Sequence, residues 1–447
     1  MKKHIILFVL ILPFMVGAQT NAFELQQCID LALQNNPALQ NAQLDLVINE
    51  NDRAERRTRL LPHIDGEADF IHNFNIQRII LENGAIPSFT DPSRPDGEVI
   101  AFQLQLRNSL SPSIHLNQIL YDKSLFETLK SDTIQNTLLK QHLAQSKTAI
   151  AVAVTKAFYS VLIGQQQLDY LDDNLQRMET IKSNTQAKVN SGLSRPIDVQ
   201  RIDVSINNIQ AEREKAQQNI DLGKALLTHL MHLDANRDIQ LTGSLDDSLI
   251  KEALPEFMTA YDNRMEYAMV QTQQRLNESN LAIGKGAYYP RITGFAVTGY
   301  NPSATDFYDL FQKSRFYNYT MIGVHLSVPI YNGEEKRYKL NKFALREQKL
   351  ENSLTEIKEL IDYQVNQAKI KYSHSLESIN LQKKNLALAE ANSEAIKTEN
   401  EKGISQTIDV LNAETDLRLA QNNYYNALYQ AIMAKVDYEQ ATGQIKY

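Results

Sequence analysis

Few side chains in this sequence combine a reactive type with a spacing that could do chemistry. His229 and His232 lie three positions apart, so a helix would carry both imidazoles on one face, where they could share a metal. No Glu or Cys completes a recognisable ligand set, and helix histidines satisfied by hydrogen bonds are the commoner case. Gly284-Lys285-Gly286 lacks the preceding strand and the spacing of a phosphate-binding loop, and reads as a flexible helix end. With no Ser/His/Asp order, no carboxylate pair and no zinc signature, neither an enzyme nor a cofactor is expected. Two acids stand in a more informative setting, because the segments around them repeat. Asp198 lies in Ser191-Gly192-Leu193-Ser194-Arg195-Pro196-Ile197-Asp198-Val199-Gln200, and Asp409 in Lys402-Gly403-Ile404-Ser405-Gln406-Thr407-Ile408-Asp409-Val410-Leu411. The two align at Gly, Ser, Ile, Asp and Val with an offset of about 211 residues. Each follows a long polar, helix-forming run and precedes another. Glycine tolerates the left-handed turn that ends a helix, and a serine two positions on is a good N-cap for the next. Each segment therefore reads as the tip of a helical hairpin, at 191–196 and 402–407.

The elements that must position these tips follow from the rest of the chain. It has 447 residues, enough for two or three ordinary domains. With 46 basic against 53 acidic residues there is no basic footprint for nucleic acid, and none is expected as a partner. Met1 to His4 is short and basic, the run from Ile5 to Val16 is apolar, and Val16-Gly17-Ala18-Gln19 resembles a cleavage site, which together read as a secretory signal peptide over 1–18. An N-terminal anchor is the weaker alternative, since a span needs ~20 apolar residues. No later stretch reads as long as a transmembrane helix, but short alternating strands can also cross a membrane. Cys28, the single cysteine, precludes an internal disulfide and reads as a small buried apolar residue.

Leu25 to about Leu60 reads as helix broken at Asn36-Pro37, because the residue before proline avoids the helical region. After Leu61-Pro62-His63 the period changes to two, and a strand is expected over about 64–74 with one apolar and one polar face. Turn chemistry fills the stretch to Gly97. A second alternating run, Ile100, Phe102, Leu104, Leu106 and Leu110, places a strand at about 99–111, the length of a tilted membrane strand. A sheet on a soluble core would alternate in the same way. From Asp122 to about Asn190 there is no proline, and the run reads as one helix of about 68 residues, roughly 100 Å long. Its narrow seam must lie against other helices. A shorter partner runs from Ser194 to about His232. The second half repeats the plan, with strands at about 292–300 and 316–330, a long helix from Glu334 to Lys402 whose seam includes Ile361, Val365, Ala368 and Tyr372, and a last helix to about Ala441. The offset falls from about 228 to about 210 between the two sets of strands, so the first loop is longer by about 18 residues. Four strands cannot close a barrel, and open edges are not tolerated in lipid. Three chains would pool twelve strands, and a trimeric tube is the expected assembly.

The ordered, duplicated set of segments resembles the TolC-type outer membrane factor family over nearly all of the mature chain. The resemblance rests on the two tips, Asn35-Asn36-Pro37, the junctions Leu61-Pro62-His63-Ile64 and Tyr289-Pro290-Arg291-Ile292, the segment Ser327-Val328-Pro329-Ile330-Tyr331-Asn332-Gly333, and Ala441-Thr442-Gly443. It implies an α+β membrane protein, internally duplicated. Its long helical hairpins would form a periplasmic α-barrel, continued by a trimeric 12-stranded transmembrane β-barrel with four strands per chain. The division expected is signal peptide 1–18, first repeat 19–232, equatorial connector 233–255 and second repeat 256–447. The implied function is a passive exit duct of a tripartite efflux pump or type I secretion system. Its partners would be a periplasmic adaptor, an inner-membrane transporter and outer membrane lipid; the alternative is a periplasmic adaptor or coiled-coil scaffold without a channel. The resemblance places Asp409 and Asn412 at a ring around the periplasmic entrance. It also makes Gly192, Leu193, Ser194, Arg195, Asp198, Gly403, Ile404, Ser405 and Gln406 the tip residues that meet the adaptor. Family members close the tip with an acid bonded to an arginine and a tyrosine of the other hairpin. Asp198 matches the acid, but Gln406 and Asn400 occupy the partner positions, leaving Arg195 or Lys402 as substitutes. Three carboxylates at a constriction would favour cations; the plainer role for either acid is to complement a helix dipole. Tyr288, Tyr289, Tyr300, Tyr308, Tyr317 and Tyr319 suit an interfacial girdle, or aromatics packed in a soluble sheet.

Overall fold

The computed structural model describes residues 22–445 and 447, apart from 104, 236, 244 and 246–260. The expected signal peptide, 1–18, and residues 236, 244 and 246–255 of the expected connector lie outside the described residues. In chain order the elements are β1 (Ala22–Phe23), α1 (Leu25–Asn35), α2 (Pro37–Thr58), β2 (His63–His72), β3 (Arg78–Glu82), β4 (Val99–Gln103) and β5 (Asn108–Tyr121). The long α3 (Lys123–Asn190) and α4 (Pro196–Leu230) make the first hairpin, followed by β6 (Gln240–Leu241) and α5 (Met265–Gly286). Then come β7 (Arg291–Tyr300), β8 (Ser303–Ala304), β9 (Asn318–Ser327), the long α6 (Glu335–Glu401) and α7 (Thr407–Thr442). Asn36 separates α1 from α2: it leaves the helix at ψ 117°, and its side chain accepts from the amide of Ala38 at 2.8 Å, capping the helix that Pro37 opens.

The chain forms two compact units. One takes the described residues up to Gln43 with Gln141–Met269 and Thr355–Tyr447. Its core is built from helical seams. Cys28, Ile29 and Ala32 of α1 pack with Ala151, Val154, Phe158 and Val161 of α3 and with Ile220 and Leu227 of α4. Further along, Tyr170, Leu171 and Met178 of α3 meet Ile202, Ile206 and Ile209 of α4 and Leu411 of α7. On α6 the buried positions Ile361, Val365, Ala368, Tyr372, Ser375 and Ile379 keep the alternating four-three spacing of a coiled-coil seam. By length and composition α3 is long and apolar enough to cross a membrane, contrary to the expectation that no stretch after residue 18 would be. Ala151, Val154, Phe158 and Val161, on the most apolar part of this helix, are core, and each large side chain so buried contributes about 1.5–3 kcal/mol.

The other unit, Leu44–Lys140 and Val270–Leu354, contains the sheet, in the order β2-β5-β7-β9, antiparallel throughout, with β8 added beside β5. The second strand is not where the alternating run placed it. Val99–Gln103 pairs instead with β3, Ile79 opposite Phe102 and Leu81 opposite Ile100, as a ribbon outside the main sheet. The side chain of Asn83 pins the ribbon's turn by donating to the carbonyls of Asp91, Arg94 and Pro95 at 2.8–3.2 Å. The strand that joins the sheet is Asn108–Tyr121, which runs through Pro112. Proline lacks a ladder donor and argues against a central strand. Here β7 pairs with β5 only from Ser113 onward, so Pro112 costs that neighbour no bond. Alternation specifies the faces of a strand and says nothing about its partner, which is why the run was misplaced. The connection from β2 to β5 is nevertheless longer than that from β7 to β9, as the changing offset required.

Candidate functional site: hairpin tips and open sheet

At each tip the backbone turns through a left-handed glycine, Gly192 at φ 74° and Gly403 at φ 76°. The amides of Leu193 and Ile404 reach back to the carbonyls of Lys188 and Glu399, each at 2.8 Å, closing the helix end with the paired bonds that such a glycine permits. The serines are not the caps. The helices start one residue later, with Arg195 and Gln406 in the capping position, and the acid at the third helical residue reaches back to their amides. Asp198 Oδ2 accepts from Arg195 N at 3.2 Å, and Asp409 Oδ2 from Gln406 N at 2.9 Å. The serines bind elsewhere: Ser194 Oγ donates to Asp198 at 3.2 Å, and Ser405 Oγ to the carbonyl of Ile396 at 3.1 Å.

The two acids differ in surroundings. Asp198 is buried, with Arg195 and Arg201 at 3.4 and 3.5 Å. Burial opposes its ionisation, but the bonds from the backbone and side chain of Arg195 outweigh it and hold the carboxyl below the usual value. Every one of these partners belongs to its own hairpin. Asp409 is exposed, as is Asn412, on one face of α7. Leu193 and Ile404, next to the two glycines, are 80% and 72% exposed. The hairpins are joined at the tip by a residue the sequence reading passed over. Lys188 Nζ donates to the carbonyl and the side-chain oxygen of Asn400, at 3.0 and 2.8 Å, while Asn400 Nδ2 donates to the carbonyl of Ser405 at 2.9 Å. Its signal was available, since a lysine in the last turn of a helix faces free carbonyls.

The sheet presents two chemically distinct faces. Asp65, Glu67 and Asp69 of β2 stand opposite His115, Ser113 and Ser111 of β5 on one of them. Ile64, Phe70 and Ile114 lie on the other, where the register also places Ile322, Val324 and Leu326 of β9. These aliphatics are exposed, Ile322 to 87% and Val324 to 65%. Among the described residues β2 and β9 each pair on one side only.

The profile of the family described as "Outer membrane efflux protein" matches residues 28–231 and 259–444. The chain belongs to the outer membrane efflux protein family. It is 22% identical to "Outer membrane protein TolC" of Salmonella enteritidis, over 97% of this chain and 86% of that one. "Alkaline protease secretion protein AprF" of Pseudomonas aeruginosa is 20% identical over 93% of this chain and 82% of its own length. Among solved structures CusC, described as forming a transmembrane channel, superposes with a TM-score of 0.76 at 14% identity, covering 94% of this chain and 91% of the other. The efflux protein is thus an outer membrane exit duct for efflux or secretion, with the α+β fold of that family, and not an enzyme. An adaptor or scaffold without a channel is set aside.

The remaining chemical candidates in this efflux protein resolve structurally. His229 and His232 have ring centroids 5.9 Å apart, and among the described residues no group of three His, Cys, Asp or Glu is arranged to hold a metal. Gly286 is a packing glycine rather than part of a loose helix end. A Cβ there would stand 2.9 Å from the backbone of Ser124, whose hydroxyl donates to the carbonyl of Ile283.

Proposed function

We propose that the duct is a homotrimer in which β2 of each copy pairs with β9 of the next, closing twelve strands around a lumen. The observation that carries this is the run β2-β5-β7-β9, whose outer strands are, among the described residues, each paired on one side only and whose aliphatic face is exposed. Unpaired edges are excluded from hydrocarbon, and closure alone removes them. Strands of ten residues, such as β2, β7 and β9, span about 34 Å and, tilted, cover about 25 Å, the height of an outer-membrane barrel's apolar band. Tyr288, Tyr289 and Tyr331 at one end of the sheet, and Tyr300, Tyr308 and Tyr317 at the other, are exposed where aromatic girdles would meet the headgroups. The acidic face would then line the lumen. The tips would meet a periplasmic adaptor through Leu193 and Ile404, their exposed aliphatics, coupling the duct to an inner-membrane transporter.

In this assembly Asp409 and Asn412 would ring the periplasmic entrance, with three carboxylates favouring cations. Mass measurement after cross-linking in membranes tests the assembly, and a water-soluble monomer would reject it. Asp409→Ala in planar bilayers tests the ring: cation preference is expected to fall at unchanged strand content, and an unaltered reversal potential removes the assignment.

A further inference from the structure

The second hairpin carries a carboxylate that the entrance reading leaves unused. Glu414 lies five residues beyond Asp409 on α7, about 140° round the helix. Its side chain is only 6% exposed, while Asp409 is open to solvent. A charge taken out of water is tolerated when it is paired and both of its oxygens are bonded, and here both are. Oε1 accepts from Ser393 Oγ of α6 at 2.6 Å, and Oε2 accepts from Arg177 Nε of α3 at 3.1 Å. The guanidinium also donates to Asn174 Oδ1, and Asn174 Nδ2 donates to Gln421 Oε1 of α7 at 3.0 Å. Asn174 and Ser393 are themselves buried.

This network differs from the nearby ion pair that also links the hairpins. Arg418 and Glu212 also pair across them, but Glu212 is 47% exposed, and solvent-screened pairs hold little. Nearby, α7 buries mostly Ala and Leu, namely Leu411, Ala413, Leu417 and Ala420. Smooth apolar contacts of this kind resist separation but specify rotation weakly, whereas a carboxylate bonded at both oxygens to two different helices admits one rotation of its own. A buried polar group that sets register is the best-attested use of such pairs.

We infer that Arg177 and Glu414 are a positioning pair for the entrance. They fix the rotation of α7 against α3 and α6, so that Asp409 and Asn412 face away from the seam, and they limit how far the second hairpin parts from the first near the tip. The inference rests on the reading of the tips as the conducting constriction. Glu414→Gln keeps the size of the side chain and removes its charge, and Arg177→Gln removes the opposite charge with a shorter side chain. Both are expected to raise single-channel conductance by about threefold and to weaken cation preference in protein that still assembles and inserts. The exchange R177E/E414R is expected to restore both toward the parental values. Parental conductance and selectivity in both single variants would overturn the inference. So would equal defects in the singles and the exchange, which mark a merely structural role. If Asp409→Ala leaves selectivity unchanged while Glu414→Gln still raises conductance, the charged ring fails and the positioning pair stands.

Discussion

The two aligned acids show how one residue in one motif can serve different ends. Asp198 and Asp409 occupy the same position in their repeats and make the same reach back to the preceding amide, yet one is buried among arginines and the other is open to water. Asp198 therefore works locally, as the third residue of a capping box. Replacing it by Asn is expected to cost about 1 kcal/mol at the start of α4. Hydrogen exchange of the first-turn amides should rise about fivefold, with the rest of the hairpin unaffected. Its folded pKa is lowered, so its contribution is complete at neutral pH. That contribution is lost only as pH falls below the ordinary carboxylate value of 3.8, and exchange measured from pH 7 to pH 3 should show the parent approaching the variant at the acid end.

At the scale of elements, the hairpins depend on turns that single residues license. Gly403 sits at φ 76°, where a side chain with a Cβ is strained by about 1–2 kcal/mol. Gly403→Ala is expected to loosen the bond from Ile404 N to Glu399 O, read as faster exchange of that amide, while Gly403→Asn is better tolerated because Asn visits the left-handed region. The sheet depends on register in a comparable way. Alternation puts Val324 and Met321 of β9 on opposite faces, and only Val324 shares its face with Ile322 and Leu326. Val324→Arg is expected to cost about 2–4 kcal/mol of membrane stability near the midplane. Urea titration in liposomes should show that loss, whereas Asp65→Asn on the opposite face should leave the midpoint in place.

For the whole molecule the governing fact is incompleteness. Among the described residues β2 and β9 have no outer partners, and the exposed aliphatic face makes the same demand for a non-aqueous neighbour. Helical seams such as Ile361 to Ile379 bury within the chain, but α6 also exposes Tyr338, Leu345 and Tyr363. Those exposed side chains would be covered by neighbouring copies in the proposed trimer.

Periodicity and punctuation were enough to locate the long helices, three of the four strands of the main sheet and the tips at Gly192 and Gly403, and the resemblance carried by the ordered segments pointed to the family. These features are local, since glycine, proline and the change from period 3.6 to period two act within a few residues of themselves. Pairing was decided only in three dimensions. The run around Ile100 and Phe102 looked like a membrane strand but found its partner in Arg78–Glu82, and the sheet took the following segment, proline included. The same holds for Lys188 with Asn400 and for Arg177 with Glu414, which are 212 and 237 positions apart. A lysine or a glutamate on a polar helix looks like any other until packing brings a partner from a distant helix beside it and, for Glu414, withdraws it from water.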